Sequence, residues 1–129
     1  MLLIALLIAF TFPIAFLVIL NRFDLYNTGK FHFNLLATNG QIILSSEMYE
    51  TRAKAVAGIE SVKKNAVRAG GIDKLVSDKK QPYFVVKSPN GQVVGKSQMY
   101  ASTSTCTRGA ASVAKNAPGA ATEDLTKTK

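Results

Sequence analysis

Few side chains in this sequence could take part in chemistry, and they do not gather. The chain has one histidine, His32, and one cysteine, Cys106. A histidine acting as a base needs a partner within hydrogen-bond reach, and a metal site needs further ligands at suitable spacing. His32 stands between Phe31 and Phe33 in a stretch of strand character, so it points to the opposite face from both. It reads as a solvated strand residue. Cys106 has no second cysteine to pair with, which excludes an internal disulfide, and a lone thiol fits a reducing compartment. Asn39-Gly40 and Asn90-Gly91 lack the glycine-rich run and the following Lys-Ser/Thr of a phosphate loop, so they read as hairpin turns. With no catalytic, cofactor-binding or metal-ligating constellation, the chain is read as non-enzymatic, with no cofactor and no small-molecule ligand.

What remains is charge. Sixteen Lys and Arg stand against eight Asp and Glu, a net +8 carried almost entirely after residue 21. A basic surface favours polyanions such as nucleic acid or anionic lipid headgroups, and solubility alone is the bland alternative. Arg52, Lys54, Lys63, Lys64 and Arg68 surround a predicted helix and are the candidates for polyanion contact. The aromatic residues near them alternate as core residues do, whereas base stacking needs them exposed.

Residues 2–20 form a leader of different character. They contain no charge, and fourteen of them are Leu, Ile, Val or Phe. As a helix they reach roughly 28 Å, close to the thickness of a bilayer's hydrocarbon core. The reading is a single-pass transmembrane helix with membrane association through residues 2–20. Arg22 and Lys30 follow the segment and keep the C-terminal domain in the cytoplasm by the positive-inside rule. A cleaved signal is the rival, opposed by the absence of a basic n-region and of a small-x-small cleavage site. A start-site error is the other alternative, and it leaves a cytoplasmic protein.

The elements that must position these residues come from an internal repeat. A shift of 51 residues lays Asn39-Gly40-Gln41 on Asn90-Gly91-Gln92 and Met48-Tyr49 on Met99-Tyr100. Gly58 falls on Gly109, Ser61-Val62 on Ser112-Val113, and Lys64-Asn65-Ala66 on Lys115-Asn116-Ala117. Such gapless density marks a duplication. Each unit reads as three strands and a helix: Phe23–Tyr26, Phe31–Leu36, Gln41–Ser46 and a helix from about Thr51 to Asn65. The second runs Asp73–Ser77, Pro82–Lys87, Gln92–Lys96 and a helix over Thr103–Asn116, with a last strand at Ala121–Leu125. Ala55, Ile59, Val62 and Ala66 share one helix face. Cys106 takes the place of Ala55 and reads as a buried, inert thiol. Met48, Tyr49, Met99 and Tyr100 are expected in the core. Gly58 and Gly109 cost about 1 kcal/mol each inside helices, which close approach to the sheet explains. The second helix, rich in Ser and Thr at its start, is expected to be the weaker.

The pattern Asn-Gly-Gln, Ser-Glu-Met-Tyr and Gly-Ile-Glu-Ser-Val-Lys-Lys-Asn-Ala at 39–41, 46–49 and 58–66 resembles the YegP-like family of small bacterial domains. Its echo at 90–92, 97–100 and 109–117 and the ending over 116–126 extend the resemblance to about 23–126. The resemblance implies a duplicated β(3)-α fold, and the residues themselves read as an α+β fold in which these units form an antiparallel sheet covered by two helices. The leader, with its transmembrane-type helix, is not a usual part of such domains. No biochemical activity and no functional residues follow from the family. The expected organisation is a leader at 1–22, the domain at 23–126 and a tail at 127–129. The expected function is a non-enzymatic domain acting through protein or surface contacts, the alternative being a soluble basic module that binds nucleic acid.

Overall fold

In the computed structural model, residues 21–126 are described. Three strands, β1 (Arg22–Asn27), β2 (Phe31–Leu36) and β3 (Ile42–Ser45), lead into helix α1 (Arg52–Asn65). The order repeats as β4 (Ile72–Val76), β5 (Pro82–Lys87), β6 (Val93–Lys96) and α2 (Thr103–Asn116), and β7 (Ala121–Asp124) ends it. All seven strands form one sheet in the order β4-β5-β6-β3-β2-β1-β7.

Local chemistry sets the element ends. Asn39 Oδ1 accepts from Gln41 N and Asn90 Oδ1 from Gln92 N, while Gly40 and Gly91 supply the positive φ these turns need, 85° and 87°. Thr51 caps α1 by accepting from Lys54 N. Ser102 caps α2 through a reciprocal capping box with Thr105, so the Ser/Thr-rich stretch expected to weaken this helix also supplies its start signal.

The halves meet where β3 runs antiparallel to β6, at Ser45 opposite Lys96. These two residues are 51 apart, so the axis relating the repeats passes through their pairing. Both helices lie on one face and cross that seam: α1 packs on β2 and also on β5 and β6, and α2 on β5 and also on β3. Phe23, Phe33 and Leu35 from the first half share one core with Phe84 and Val86 from the second. Cys106 lies in it at 1% exposure, as expected.

Retained residues do paired work. Ser46 Oγ accepts from Phe33 N and donates to Glu47 O, and Ser97 Oγ does the same with Phe84 N and Gln98 O. The rings of Tyr49 and Tyr100 lie flat on Phe33 and Phe84, with centroids 6.3 and 6.2 Å apart. A methyl group at Gly58 would sit 2.5 Å from the Tyr49 hydroxyl, and one at Gly109 closer still to that of Tyr100. The mid-helix glycines thus make room for these tyrosines. Met48 and Met99, expected in the core beside them, are exposed instead, at 58% and 37%.

Two expectations are corrected. The sheet is mixed, because β7 pairs with β1 in parallel, from Arg22 opposite Ala121 to Leu25 opposite Asp124. The transmembrane helix and the single-pass membrane location built on it are also withdrawn. Among the described residues no helix is long and apolar enough to cross a membrane. At 14 residues each, α1 and α2 reach about 21 Å, short of the hydrocarbon core, and both carry Lys or Arg. Residues 2–20, on which the expectation rested, lie outside the described residues.

Candidate functional site

The five basic residues singled out by sequence do not form one free patch. Arg52 reaches across to β7, where its Nε lies 2.9 Å from Asp124 Oδ2 and its Nη2 also bonds that oxygen. Hydrogen bonds from the Thr126 hydroxyl and from Arg52 hold the Asp124 carboxyl down to about 2. Arg68 donates to Asn65 Oδ1 at 2.7 Å and to the carbonyls of Ala69 and Lys87, closing the chain after α1. Lys63 sits near Glu60 and over the Phe23 ring. Lys54 and Lys64 are exposed and make no ion pair among the described residues.

The sheet face turned away from the helices carries a different set. Along each strand alternate side chains point there: Arg22, Asp24 and Tyr26 on β1, His32 and Asn34 on β2, Tyr83, Val85 and Lys87 on β5. Tyr26 stacks on His32 with ring centroids 5.2 Å apart, and Lys96 Nζ lies 5.3 Å from the centre of the Tyr83 ring. Arg22 Nε donates to Asp24 Oδ1 at 2.7 Å, which raises the guanidinium pKa, and Lys87 Nζ donates to Asp73 Oδ2 at 3.0 Å. Burial raises the Tyr26 phenol. His32 therefore lies half-buried against a ring rather than free in solvent. Three basic residues (Arg22, Lys87, Lys96) face three acidic ones (Asp24, Asp73, Glu123), so this surface is charge-balanced.

Two clefts flank the helices at equivalent places. One of about 860 Å³ lies between α2 and the β2–β3 hairpin and presents Asn39, Gln41, Gln98, Arg108 and Ser112. The other, about 690 Å³, lies between α1 and the β5–β6 hairpin and presents Glu60, Ser61, Lys64, Arg68 and Ser88. Arg108 takes the place of Ala57, so the two clefts differ in chemistry. A guanidinium among amides can hold a carboxylate or phosphate, and the described residues that line this cleft include no histidine, cysteine or carboxylate. Among the described residues no group of three or more His, Cys, Asp and Glu could hold a metal. Burial pushes the Cys106 thiol up, with Lys74 pulling the other way, so it is a poor nucleophile.

Sequence reasoning missed Tyr26, Tyr83, Lys96 and Arg108. A signal was available: under the 51-residue shift these meet Ser77, His32, Ser45 and Ala57, positions where the repeats disagree.

The chain matches the family model described as "Domain of unknown function (DUF1508)" twice, over residues 27–73 and 77–124. It is 47% identical over 96 residues to the UPF0339 protein PA0329 of Pseudomonas aeruginosa, covering 74% of this chain and 87% of that protein. The UPF0339 protein YegP of Yersinia pestis is 46% identical over 98 residues, 76% of this chain and 88% of its own length. Among solved structures, the UPF0339 protein SO3888 of Shewanella oneidensis superimposes with a TM-score of 0.78 at 37% identity, over 84% of this chain and 93% of that one. The yegP protein of E. coli, of unknown function, gives 0.78 at 34%, over 84% and 96%. These matches bear out the resemblance carried by the paired motifs, and nothing in them indicates catalysis.

Proposed function

We propose that this chain, which belongs to the UPF0339 family of domains of unknown function, is a non-enzymatic module that acts by contacting another protein through the face of its sheet turned away from the helices. The observation that carries the reading is the composition of that face. Tyrosine and arginine are the residues enriched where proteins meet, because they supply rigid contact area with a polar tip. Here Tyr26 and Tyr83 stand with Arg22 on a platform whose charges balance. A balanced surface has no reason to attract a polyanion, but it suits a partner carrying charges of both signs.

A second reading, contact with nucleic acid, draws on the other layer. The two helices carry six basic side chains and one acidic, Glu60. Lys54, Lys64, Arg108 and Lys115 are exposed there. Because Arg52 and Arg68 are engaged within the fold, fewer cations are available to phosphates than the sequence promised.

A photo-crosslinking residue placed in turn at Tyr26, Tyr83 and, on the helix layer, Ala57 separates the two in cells. The expected result is protein adducts of discrete mass from Tyr26 and Tyr83 and none from Ala57. Adducts from Ala57 alone that disappear with nuclease would replace the protein-contact reading with the nucleic-acid one.

A further inference from the structure

The sheet is nearly a palindrome. Reading outward from the β3–β6 seam, β2 and β1 on one side answer β5 and β4 on the other, and then β7 adds a strand to one side alone. Strand β4 takes the place of β1 under the repeat, yet β5 is its only neighbour in the described sheet. The cost shows in its side chains. Leu25 of β1, opposite Phe33, is fully buried, whereas the same place on β4, opposite Phe84, is held by the exposed Lys74, with Leu75 36% and Val76 65% exposed beyond it. An edge strand of this kind presents unpaired backbone groups beside apolar side chains.

We infer that the outer edge of β4 receives an extended acidic segment of a partner protein, added parallel to β4 as β7 is added to β1. The strand that fills the equivalent place shows the chemistry. β7 carries Glu123 and Asp124, and arginines flank it on both faces: Arg52 binds Asp124, and Glu123 acts on Arg22. Around β4 the counterpart is Lys74, exposed on the helix side with its Nζ 3.3 Å from the Thr107 hydroxyl of α2 and in no ion pair among the described residues. Lys79 and Lys80 follow at the hairpin tip. Backbone pairing supplies affinity in strand addition, and side chains supply the choice of partner. A lysine at the centre of the edge also disfavours a second copy of the same strand, because two-fold pairing about Lys74 would set like charges opposite each other. The inference rests on the protein-contact reading but concerns a different surface.

The β7 sequence itself is the probe. A synthetic peptide of residues 119–126 is titrated into the isotope-labelled full-length chain, and backbone amide shifts are followed. Expected are saturable shifts confined to 72–77 and the start of α2. Binding should fall about fivefold with Lys74→Glu, the worth of one exposed ion pair, and stay unchanged with Lys54→Glu. A peptide with both acids replaced by lysine should not bind. No shifts at millimolar peptide, shifts confined to β1, or equal binding of the lysine peptide would overturn the inference. So would β4 shifts that depend on protein concentration without peptide, which would mark a second copy as the occupant. Cross-links from Tyr83 would stand whatever the peptide does, so the two readings fail separately.

Discussion

Leu44 and Gly95 hold equivalent places in the two repeats, on strands that meet at the middle of the sheet. A side chain added to Gly95 would come within 2.5 Å of Leu44 Cδ2. Two leucines cannot share that space and two glycines would leave it empty, so the copies have diverged in complementary directions. Where a side chain is satisfied within its own copy, the residues match: Ser46 with Ser97, Tyr49 with Tyr100, Gly58 with Gly109. A duplicated sequence can keep identical residues wherever its copies do not touch, and must break its symmetry where they do.

That contrast can be broken most sharply at the seam. Leu44→Ala should cost about 3 kcal/mol, read from denaturant unfolding, because it empties a fully buried site. Gly95→Ala should cost less in the Leu44→Ala background than in the native one. Simple additivity of the two would contradict the shared-space account. Next, Gly58→Ala and Gly109→Ala should each lose about 2 kcal/mol through displacement of the tyrosine, despite alanine's better helix propensity. Removing the hydroxyl with Tyr49→Phe should restore part of the Gly58→Ala loss.

A smaller effect is expected at a place where the copies differ without touching. Gly29 turns the first hairpin at φ 104°, and its equivalent Lys80 is held at φ 68°, a left-handed conformation unfavourable to side chains. Lys80→Gly should therefore raise stability by about 1 kcal/mol, seen as a higher Tm. The smallest effect concerns Asp124, which the Thr126 hydroxyl and Arg52 hold down to about 2. A depressed carboxylate gives stability that is present above its unfolded pKa, near 4, and is lost as pH falls toward 2. Asp124→Asn should flatten the acid limb of stability over that interval, and an unchanged limb would deny Asp124 this role.

Strand and helix bounds were legible to within a residue or two because each signal occurs twice, as with Asn39-Gly40 and Asn90-Gly91. The partner of β7 was not legible. Its pairing with β1 joins residues about 100 apart, and no local pattern encodes such a contact. The same distance hid the fate of Arg52, which read as a surface cation and is bound by a carboxylate from the far end of the chain. Met48 looked like core because the repeat retained it, yet it is exposed, so retention alone did not establish burial. The sheet face turned away from the helices was hidden for the opposite reason. Tyr26 follows the buried Leu25 and Tyr83 precedes the buried Phe84, so each reads as part of an apolar run.

The crossing of the helices over the seam bears on how the molecule comes into being. During synthesis α1 leaves the ribosome before β5 and β6, on which it packs, exist. The part of its apolar face that does not rest on β2 must wait for about 30 more residues. The first strand waits longer still, because β1 gains its outer neighbour only when residues 121–124 arrive. Such distant pairing slows folding and leaves the half-made chain prone to meeting other copies, so one half of this gene would encode a product that needs a twin.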